Sequence, residues 1–567
     1  MDSPPRSPNP VNVAWRLSEM AQRVPDQLAI AVPLGKRRTG VKRRYQQCSF
    51  RELDEDSSRI ASALRGWGVP VGARIALMVR PGVDFISLVF AMLKAGLTIV
   101  LIDPGMGRDN LLRCLEEVEP EGFIAIPIAH VVRIAKRGRF PRARWNVTVG
   151  RRWFWGGPTL DGLRRRGEPQ FPGRACAPLD PAAIIFTTGS TGPPKGVLYT
   201  AVTFDQQVEQ LQAYYDIQVG EIDLPGFPLF GLFNSAMGVS TIIPDMDPTR
   251  PAEVDPENIL EAANDWSVTQ AFGSPALWNT VGRYCEQNQR TMPTIRRALS
   301  AGAPVPPHVI RRVRNAIHPE GDIHTPYGAT EALPVASIDG STVLNETAAL
   351  NSSGRGVCVG GRFPGLQWKV IRITDDPLPD MSNVEELAAG EIGELIVSGP
   401  VVTRQYVTRT EANALHKIAD GDRLWHRMGD VGYLEASAAG ERFWFCGRKS
   451  HRVETSAGPL YTIPCEAILN THPHIYRSAL VGVGERGAQR PIAIIETWPE
   501  HRPSSAAATE ALVAEVRQLA DDHALTERIE QVVVHPGSLP VDIRHNSKIF
   551  REQLREWVVE HPGARGA

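Results

Sequence analysis

The chain has 567 residues, so we expect at least two domains, because single hydrophobic cores stop growing at roughly 250 to 300 residues. With 42% hydrophobic and 22% charged residues, the composition is that of a globular protein and excludes a disordered, collagen-like or coiled-coil chain. The 62 basic and 63 acidic residues give a net charge of -1, which provides no overall field that would attract nucleic acid or an anionic membrane.

The seven cysteines occur singly, with no CxxC pair and no histidine at a metal-binding spacing, so neither a disulfide framework nor a zinc site is expected. The first residues lead into no apolar segment typical of a secretory signal. We therefore expect a soluble protein of the reducing cytoplasm, with no nucleic-acid partner and no transmembrane segment.

The most apolar stretch, from Phe85 to Ile102, changes its period at Lys94 and Gly96. The helical spacing of its first half and the branched residues of its second half predict a helix that leads into a buried parallel strand. A strand-like segment from Arg74 to Val79 precedes it. Strand, helix and strand in this order indicate a doubly wound α/β layer.

A basic and aromatic stretch follows. Residues Arg133 to Arg166 hold eleven basic groups and one acid, interleaved with Trp145, Trp153, Phe154 and Trp155. Such a composition is compatible with a patch that faces nucleic acid or lipid. Because no nucleic-acid fold motif accompanies it, we favour a solvated loop or a subunit contact.

The strand and helix alternation returns at residues 182–186, 202–215 and 269–272. After about residue 355 the segments become short and alternating, as in Trp368 to Ile373 and Gly393 to Val397, which predicts an antiparallel barrel or small sheet. The Ala, Ser and Pro-rich segment from Pro503 to Ala508 predicts a surface loop inside a last α+β unit.

The strongest signal of function is the segment Ile184 to Gly196, where a branched strand enters a loop of hydroxyl-bearing residues and glycines. Glycines let backbone N–H groups approach an anion, hydroxyls add donors, and Lys195 adds a positive charge. Lys195 is one of only nine lysines beside 53 arginines. The segment therefore predicts a phosphate-binding loop, with the residues Thr187, Thr188, Gly189, Ser190, Thr191, Gly192 and Lys195. It departs from the Walker pattern because Gly196 stands where Ser or Thr is required.

This loop resembles the phosphate loop of the adenylate-forming superfamily, which holds acyl-CoA synthetases, luciferases and the adenylation domains of peptide synthetases. Other segments are similar to further motifs of the superfamily, in the same order: Ser300–Pro304, Tyr327–Glu331, Gly393–Leu395, Trp425–Asp430, Gly447–Arg448 and Pro540–Arg551. In the last of these, Ser547 replaces the usual glycine. Together the motifs cover nearly the whole chain, which is identified as a member of the superfamily.

The resemblance implies an α/β fold in two domains. Residues 1–448 would form a large AMP-binding domain of doubly wound α/β subdomains plus a small β-barrel. Residues 449–567 would form a small, mobile α+β domain that acts as a lid. In the superfamily this lid turns just after the Gly-Arg pair, so Lys449 and Ser450 are the expected hinge, and Lys548 would be present for adenylation and withdrawn afterwards.

The resemblance also assigns residues to ATP. Tyr327 would stack on the adenine, whose surroundings would be completed by Gly302, Ala303, Pro304 and Gly328. Asp430 would accept hydrogen bonds from both ribose hydroxyls, with Arg448 beside it. A plain salt bridge between Asp430 and Arg448 is the alternative.

Four residues would act on the reaction: Lys548, Thr330, Glu331 and Lys195. Thr330 would donate to the α-phosphate, and Glu331 would hold Mg²⁺ between the phosphates. Lys548 would place a positive charge between the substrate carboxylate and the α-phosphate, where charge builds during attack, although a solvated lysine at a helix start would look the same. ATP and Mg²⁺ are thus the implied cofactors.

Two departures concern the second half-reaction. Relatives that form thioesters commonly carry a histidine after Pro-Leu-Phe, whereas Phe230 is followed here by Gly231, and the stretch from Val453 to Tyr461 lacks their usual Lys and Gly-aromatic-Arg pattern. The CoA-handling surface is therefore expected to be altered. Phe230, Gly231, Phe272 and Gly273 belong to apolar segments that suit an alkyl substrate or, equally, a simple core. We expect Gly231 to leave room for a doubly alkylated substrate.

The segments Pro326 to Pro334 and Arg544 to Arg551 resemble the branch of the superfamily that forms β-lactones in bacterial long-chain olefin biosynthesis. This implies ATP-dependent adenylation of a long-chain 2-alkyl-3-hydroxyalkanoic acid, followed by attack of its own 3-hydroxyl. The branch suggests contact with a thiolase-like enzyme, a reductase and a β-lactone decarboxylase. The alternatives are a medium- or long-chain acyl-CoA ligase, an acyl-AMP ligase, or a non-catalytic nucleotide-binding partner.

Overall fold

The structure is a computed structural model that describes residues 10–37, 40–187, 193–227, 231–438, 440–542 and 548–561. The helices of this part are α1 Ala14–Arg23, α2 Phe50–Gly66, α3 Val83–Ala95, α4 Arg108–Val118, α5 Pro127–Ala135, α6 Leu160–Arg166, α7 Ala201–Tyr215, α8 Pro256–Asp265, α9 Pro275–Asn288, α10 Pro307–Ala316, α11 Gly340–Thr342, α12 Ala348–Leu350, α13 Ala412–His416, α14 Thr462–Leu469, α15 Ala506–Asp521 and α16 Arg551–Glu560.

The strands are β1 Leu28–Leu34, β2 Arg44–Ser49, β3 Arg74–Met78, β4 Thr98–Leu101, β5 Gly122–Ala125, β6 Trp145–Thr148, β7 Pro181–Phe186, β8 Gly196–Thr200, β9 Ile222–Pro225, β10 Ser240–Ile242, β11 Gln270–Phe272, β12 Arg297–Leu299, β13 Asp322–Ala329, β14 Ala332–Asp339, β15 Val357–Cys358, β16 Gly361–Arg362, β17 Gln367–Ile371, β18 Gly393–Ser398, β19 Lys417–Asp420, β20 Arg423–Ser437, β21 Gly440–Arg448, β22 Val453–Thr455, β23 Gly458–Leu460, β24 Ile475–Val483, β25 Arg490–Thr497 and β26 Gln531–Val534.

Two mixed sheets with mainly parallel strands form the larger part of the molecule. Their strand orders are β6-β5-β3-β4-β7-β8 and β16-β14-β13-β12-β11-β9-β10-β1-β2. The predicted strand, helix and strand are β3, α3 and β4, with Arg74 paired to Thr98 in parallel register. Every residue of β4 is buried, as expected for a parallel strand covered on both faces. The prediction of doubly wound α/β layers is therefore confirmed.

Beyond residue 355 the chain forms a small antiparallel sheet, in the order β15-β21-β20-β18-β17 with β19 paired to β20. Its long strands β20 and β21 pair Asp430 with Arg448 across the sheet. The predicted change to short antiparallel strands is confirmed. The register of β20 and β21 places two of the predicted site residues side by side.

The C-terminal part is a small α+β unit around the sheet β24-β25-β26. Residues from Val453 onward contribute hydrophobic cores of their own, with Leu480 and Ile495 among the fully buried side chains. The predicted loop from Pro503 to Ala508 is wrong in its second half, because α15 begins at Ala506. Ser505 caps this helix by accepting a hydrogen bond from the Ala508 amide, and alanines favour the helical state.

Among the described residues, every helix is too short or too polar to cross a bilayer. The apolar helix α3 packs instead against α2, and its Lys94 is buried between them. Lys94 Nζ donates to the Asp54 carboxylate (2.6 Å) and to the hydroxyls of Ser57 and Ser58 (2.9 Å each). Burial lowers the pKa of Lys94, and the Asp54 charge opposes this shift.

We expect Asp54→Ala to lower the free energy of unfolding by about 3 kcal/mol, because it leaves the Lys94 charge buried without its counter-ion. The matched control is Asp26→Ala, which removes an exposed ion pair with Arg51 and should cost less than about 1 kcal/mol. Urea unfolding of the whole chain measures both values. Equal losses in the two variants would contradict a structural role for the buried pair.

Candidate active site

The predicted phosphate loop connects the antiparallel strands β7 and β8, whose ends pair Phe186 with Gly196. The base of the loop is closed by two hydrogen bonds: the Thr187 amide donates to Lys195 O (3.0 Å), and the Lys195 amide donates to Thr187 Oγ1 (3.1 Å). Thr188, Gly189, Ser190, Thr191 and Gly192 lie outside the described residues. The hairpin directs both ends of the loop to the same edge of the sheet.

Thr330 and Glu331 form the tight connection between the antiparallel strands β13 and β14. Tyr199 on β8 donates its hydroxyl proton to Thr330 O (2.6 Å), and Tyr406 donates to Glu331 Oε1 (2.6 Å). Both the amide and the hydroxyl of Thr403 donate to Glu331 O. Glu331 is thus held by contacts from other elements, through its backbone oxygen by Thr403 and through its carboxylate by Tyr406.

The residues predicted to bind adenine line the same cavity as Thr330 and Glu331. The segment Gly302 to Pro304 follows β12 and lines the same cavity as Tyr327 and Gly328. Gly302 has a φ of +100°, a conformation that favours glycine. A Cβ atom at Gly328 would lie 2.7 Å from Ala332 O, so the hairpin requires glycine there.

Asp430, Arg448 and Tyr327 form one cluster, held by a hydrogen bond and an ion pair. The Tyr327 hydroxyl donates to Asp430 Oδ2, and Arg448 Nη1 lies 3.0 Å from Asp430 Oδ1. Arg448 also donates to Met428 O (3.0 Å). Burial raises the pKa of Asp430, and the neighbouring Arg448 opposes this shift. The cluster fixes the buried Asp430 carboxylate next to Tyr327, one of the residues predicted to bind adenine.

Lys548 belongs to the C-terminal unit and lines the cavity that holds these residues. The base of its loop is closed by the Asp542 amide, which donates to Lys548 O (2.9 Å). The Lys548 charge acts to lower the pKa of Asp430, so the two residues are within electrostatic range. The structure therefore brings Lys548 to the same site as Lys195, Glu331 and Asp430.

The sequence reasoning missed Tyr406, His416 and Lys417. Lys195 Nζ lies 3.3 Å from His416 Nε2 and 4.8 Å from the centre of the Tyr406 ring. Lys417 is buried and donates to Thr403 O (2.5 Å). The rarity of lysine in this chain is a signal that could have identified Lys417.

The shifted pKa values of these groups follow from their burial. Burial, followed by the charge of Lys195, lowers the pKa of His416 to about 3, so its neutral ring can accept a hydrogen bond from Lys195. Burial lowers the pKa of Lys195, with Glu331 opposing. Burial also lowers the pKa of Lys417 to about 7, again with Glu331 opposing. Loss of water around these groups is thus the main cause of their shifts, and the Glu331 carboxylate partly offsets it for the two lysines.

Glu331 is the predicted metal ligand, and its surroundings fit a hard divalent cation. Carboxylate oxygen is a ligand that Mg²⁺ accepts. The Tyr406 hydroxyl donates a hydrogen bond to Glu331 Oε1, and no donor among the described residues forms a hydrogen bond with Glu331 Oε2. A separate cluster of His472, His474 and Glu515 lies on the C-terminal unit. The His474 amide donates to His472 Nδ1, which places the proton of the neutral ring on Nε2, towards Glu515, and disfavours metal binding at that atom.

The predicted substrate residues differ in their positions. Phe272 lines the cavity, whose volume is about 2310 Å³, whereas Gly231 and Gly273 are absent from its lining and Phe230 lies outside the described residues. A Cβ atom at Gly231 would lie 2.6 Å from Pro225 Cγ, and one at Gly273 would lie 2.8 Å from Leu277 Cδ2. The expectation that Gly231 leaves room for substrate is corrected, because Pro225 fills that space.

The model of the AMP-binding enzyme family matches residues 17–407 of this chain. A protein of Stenotrophomonas maltophilia named olefin beta-lactone synthetase is 45% identical over 97% of this chain and 98% of its own length. A protein of the same name from Xanthomonas campestris is 44% identical over the same shares. The structure of ATP-bound MatB from Rhodopseudomonas palustris shares the fold, with a TM-score of 0.73 and 20% identity, over 96% of this chain and 99% of that one.

We expect Tyr406→Phe to lower the free energy of unfolding by about 1 to 3 kcal/mol, because it leaves a buried Glu331 oxygen without its donor. The matched control is Tyr284→Phe, which removes a half-buried tyrosine to glutamate hydrogen bond but leaves the same Glu257 oxygen a second donor in Arg290 (2.8 Å). Chemical unfolding of both variants measures the difference. Equal stability of the two variants would show that Glu331 does not depend on Tyr406.

Proposed function

Because the chain belongs to the AMP-binding enzyme family, whose members form adenylates, we propose that it uses ATP to convert a long-chain 2-alkyl-3-hydroxyalkanoic acid into a β-lactone. AMP and pyrophosphate are the other products. One observation carries the proposal: Lys195, Glu331, Asp430 and Lys548, from separate parts of the chain, line a single cavity that also has extensive apolar walls. The two relatives that match along nearly the whole chain support the choice of acid.

In the first step an oxygen of the substrate carboxylate attacks the α-phosphorus of ATP, and pyrophosphate leaves. In this proposal Asp430 accepts hydrogen bonds from the ribose and Tyr327 stacks on the adenine, and both residues line the cavity. Lys195 and the loop it closes bind the phosphates. Lys548 offsets the negative charge that builds between the carboxylate and the α-phosphate, and such stabilisation in a buried site is worth about 3 kcal/mol.

Mg²⁺ is part of the proposal, with Glu331 as its ligand. When bound, the ion would offset phosphate charge and polarise the phosphorus centre under attack. The contacts that hold Glu331 are those from Tyr406 and Thr403. Tyr406 restrains the carboxylate itself, and Thr403 restrains its backbone.

In the second step the 3-hydroxyl oxygen of the same molecule attacks the acyl carbon. The bond from this carbon to the phosphate oxygen breaks, AMP leaves, and the hydroxyl proton passes to solvent or to the leaving phosphate. An internal nucleophile held in the reactive conformer reaches an effective molarity of about 10⁵ M or more. Water must be kept from the mixed anhydride while the 3-hydroxyl attacks.

The cavity walls suit an acid with two alkyl chains. One group of apolar side chains comes from α7 and the segment after β9: Phe204, Leu211, Leu232, Phe233 and Met237. Another comes from α3, α4, α5 and the strands beside them: Met78, Phe85, Met106, Leu111, Ile128 and Val132. Together these side chains give the alkyl chains of a 2-alkyl acid apolar surface to bury.

We propose Lys449 and Ser450 as the hinge between residues 1–448 and 449–567. Lys449 follows β21 directly and donates to Thr374 O (3.0 Å) and to Glu394 (3.3 Å), which anchors the large-domain side of the connection. Rotation beyond this anchor would withdraw Lys548 after adenylation.

Location and partners complete the proposal. Seven buried free cysteines agree with the reducing cytoplasm, where ATP is supplied. The product chemistry requires one enzyme class that supplies the 3-hydroxy acid and another that consumes the lactone. The thiolase-like, reductase and decarboxylase partners expected from the resemblance fit these two needs.

The direct test incubates the enzyme with ATP, Mg²⁺ and a 2-alkyl-3-hydroxyalkanoic acid and identifies the products by mass spectrometry. We expect AMP and a neutral product equal to the acid minus one water, at a rate indifferent to added CoA. The matched acid without its 3-hydroxyl should be adenylated and then stall, because the internal nucleophile is missing.

A CoA thioester as the main product, or steady turnover of the deoxy acid with CoA, would overturn the lactone proposal. Such a result would establish the acyl-CoA ligase alternative instead. Turnover of the deoxy acid without CoA would indicate that water reaches the anhydride.

A further inference from the structure

Two neutral groups hold the side chain of Lys195 in the cavity. Its Nζ atom lies 3.3 Å from His416 Nε2 and 4.8 Å from the centre of the Tyr406 ring. No carboxylate of the described residues forms an ion pair with Lys195, although the Glu331 charge acts to raise its pKa. The ammonium group therefore has a hydrogen-bond partner and an aromatic face as neighbours, and neither of them cancels its charge.

The contact between Lys195 and His416 defines the state of the histidine ring. A lysine ammonium group can only donate hydrogen bonds, so His416 Nε2 must be the acceptor. The ring can accept there only when it is neutral and carries its proton on Nδ1. Burial, followed by the charge of Lys195, lowers the pKa of His416 to about 3. The ring is therefore a neutral acceptor at neutral pH.

Local contacts fix the position of this ring. His416 ends α13, and Asn413 of the same helix exchanges two hydrogen bonds with the Tyr406 backbone (2.8 and 3.0 Å). The His416 ring meets the Tyr406 ring edge-on, with 5.9 Å between the ring centres. His426 Nδ1 on β20 lies 3.1 Å from His416 O. The acceptor of Lys195 is thus held in place by the fold itself.

The neighbouring Lys417 shows the same arrangement. It is buried, and its Nζ atom donates to Thr403 O (2.5 Å). It has no ion pair with a carboxylate in the part of the chain that the structure describes, although the Glu331 charge acts to raise its pKa. By contrast, Lys94, which does not line the cavity, is paired directly with the Asp54 carboxylate (2.6 Å). The two lysines of the site therefore lack the direct counter-ion that the structural lysine has.

We propose that His416 is a positioning residue, which holds the Lys195 ammonium group in place for the phosphates of ATP without offsetting its charge. Both side chains line the cavity of the candidate active site. A carboxylate in the place of His416 would also hold Lys195, but it would cancel the lysine charge and repel the phosphates. A neutral imidazole supplies the hydrogen bond alone. The inference rests on the proposed function, because it takes ATP as the ligand whose phosphates meet Lys195.

Two other roles for His416 fit the structure less well. Proton transfer is disfavoured because general acids and bases work best when their pKa lies near the working pH, and the pKa of His416 is far lower. A purely structural role would affect the stability of the protein, but it gives no reason for ATP binding to depend on the charge of the side chain at this position.

The test measures the affinity of the full-length protein for ATP with Mg²⁺ by isothermal titration calorimetry, without the acid, so that no adenylate forms. His416→Gln keeps a neutral acceptor and should bind within about threefold of wild type. His416→Phe removes the acceptor and should weaken binding about tenfold, as expected for the loss of a hydrogen bond to a charged group. His416→Glu places a negative charge beside Lys195 and should weaken binding by more than about twentyfold.

A double-mutant cycle shows whether His416 acts through Lys195. Lys195→Met alone should weaken ATP binding, because it removes a cation from the surroundings of the phosphates. In the Lys195→Met background, His416→Phe should change the affinity by less than about twofold, since the group that it positions is gone. Additive losses would contradict the positioning role. Equal affinities of His416→Gln and His416→Glu would contradict it as well.

The matched control is His130→Phe, which replaces a buried histidine that does not line the cavity and whose Nε2 contacts Val147 O (2.9 Å). It should bind ATP within about twofold of wild type, whatever it does to the melting temperature. Thermal melting checks that each variant is folded. The comparison of His416→Gln with His416→Glu decides the matter if His416→Phe does not fold.

Failure of this inference and failure of the proposed function are separable. A wild-type protein that does not bind ATP would overturn the proposed function, and the inference with it. A loss of affinity in Lys195→Met, without any loss in His416→Phe or His416→Glu, would overturn the inference alone.

Discussion

The burial of positive groups beside Glu331 and Asp430 is the constraint on which the rest of this structure depends. Lys195, Lys417 and Arg448 gather around Glu331 and Asp430, and Lys548 reaches the same cavity from the C-terminal unit. Removal from water disfavours a charged ammonium group, and this desolvation is the main cause of the lowered pKa values of Lys195 and Lys417. A rigid frame holds these side chains together until the negative charge of a bound polyphosphate offsets their positive charge.

That frame consists of three pairs of antiparallel strands. The β7 and β8 pair carries the phosphate loop, the β13 and β14 pair carries Glu331, and the β20 and β21 pair carries Asp430 and Arg448. Tyr406 connects two of these pairs, because it forms a bridge with Val197 of β8 and donates to Glu331. Pre-organised charge of this kind stabilises a transition state without reorganisation at the moment of reaction.

The sequence predicts the parts of this site that are local. Period and branching identify β3, α3 and β4, and hydroxyls with glycines identify the loop that ends at Lys195. The sequence cannot predict Tyr406 or His416. Tyr406 is 75 residues away in the chain from its partner Glu331, and His416 is 221 residues away from its partner Lys195. Gly231 was misinterpreted because a glycine that opens a pocket and one that admits a neighbour such as Pro225 look alike in sequence. Composition likewise identified the basic stretch, but only the fold separates buried Trp155 from exposed Trp153 and Phe154.

The most direct measurement of the central claim is the rate of pyrophosphate release by Lys548→Ala, together with its affinity for ATP. The account predicts a loss of about a hundredfold in rate, since one donor to developing charge is worth roughly 3 kcal/mol, with ATP affinity within a few-fold because the contacts of Tyr327, Asp430 and Arg448 remain. Lys42→Ala, an exposed lysine outside the cavity, should match wild type in both values. A rate for Lys548→Ala within about threefold of wild type would contradict the claim that charge brought from the C-terminal unit drives adenylation.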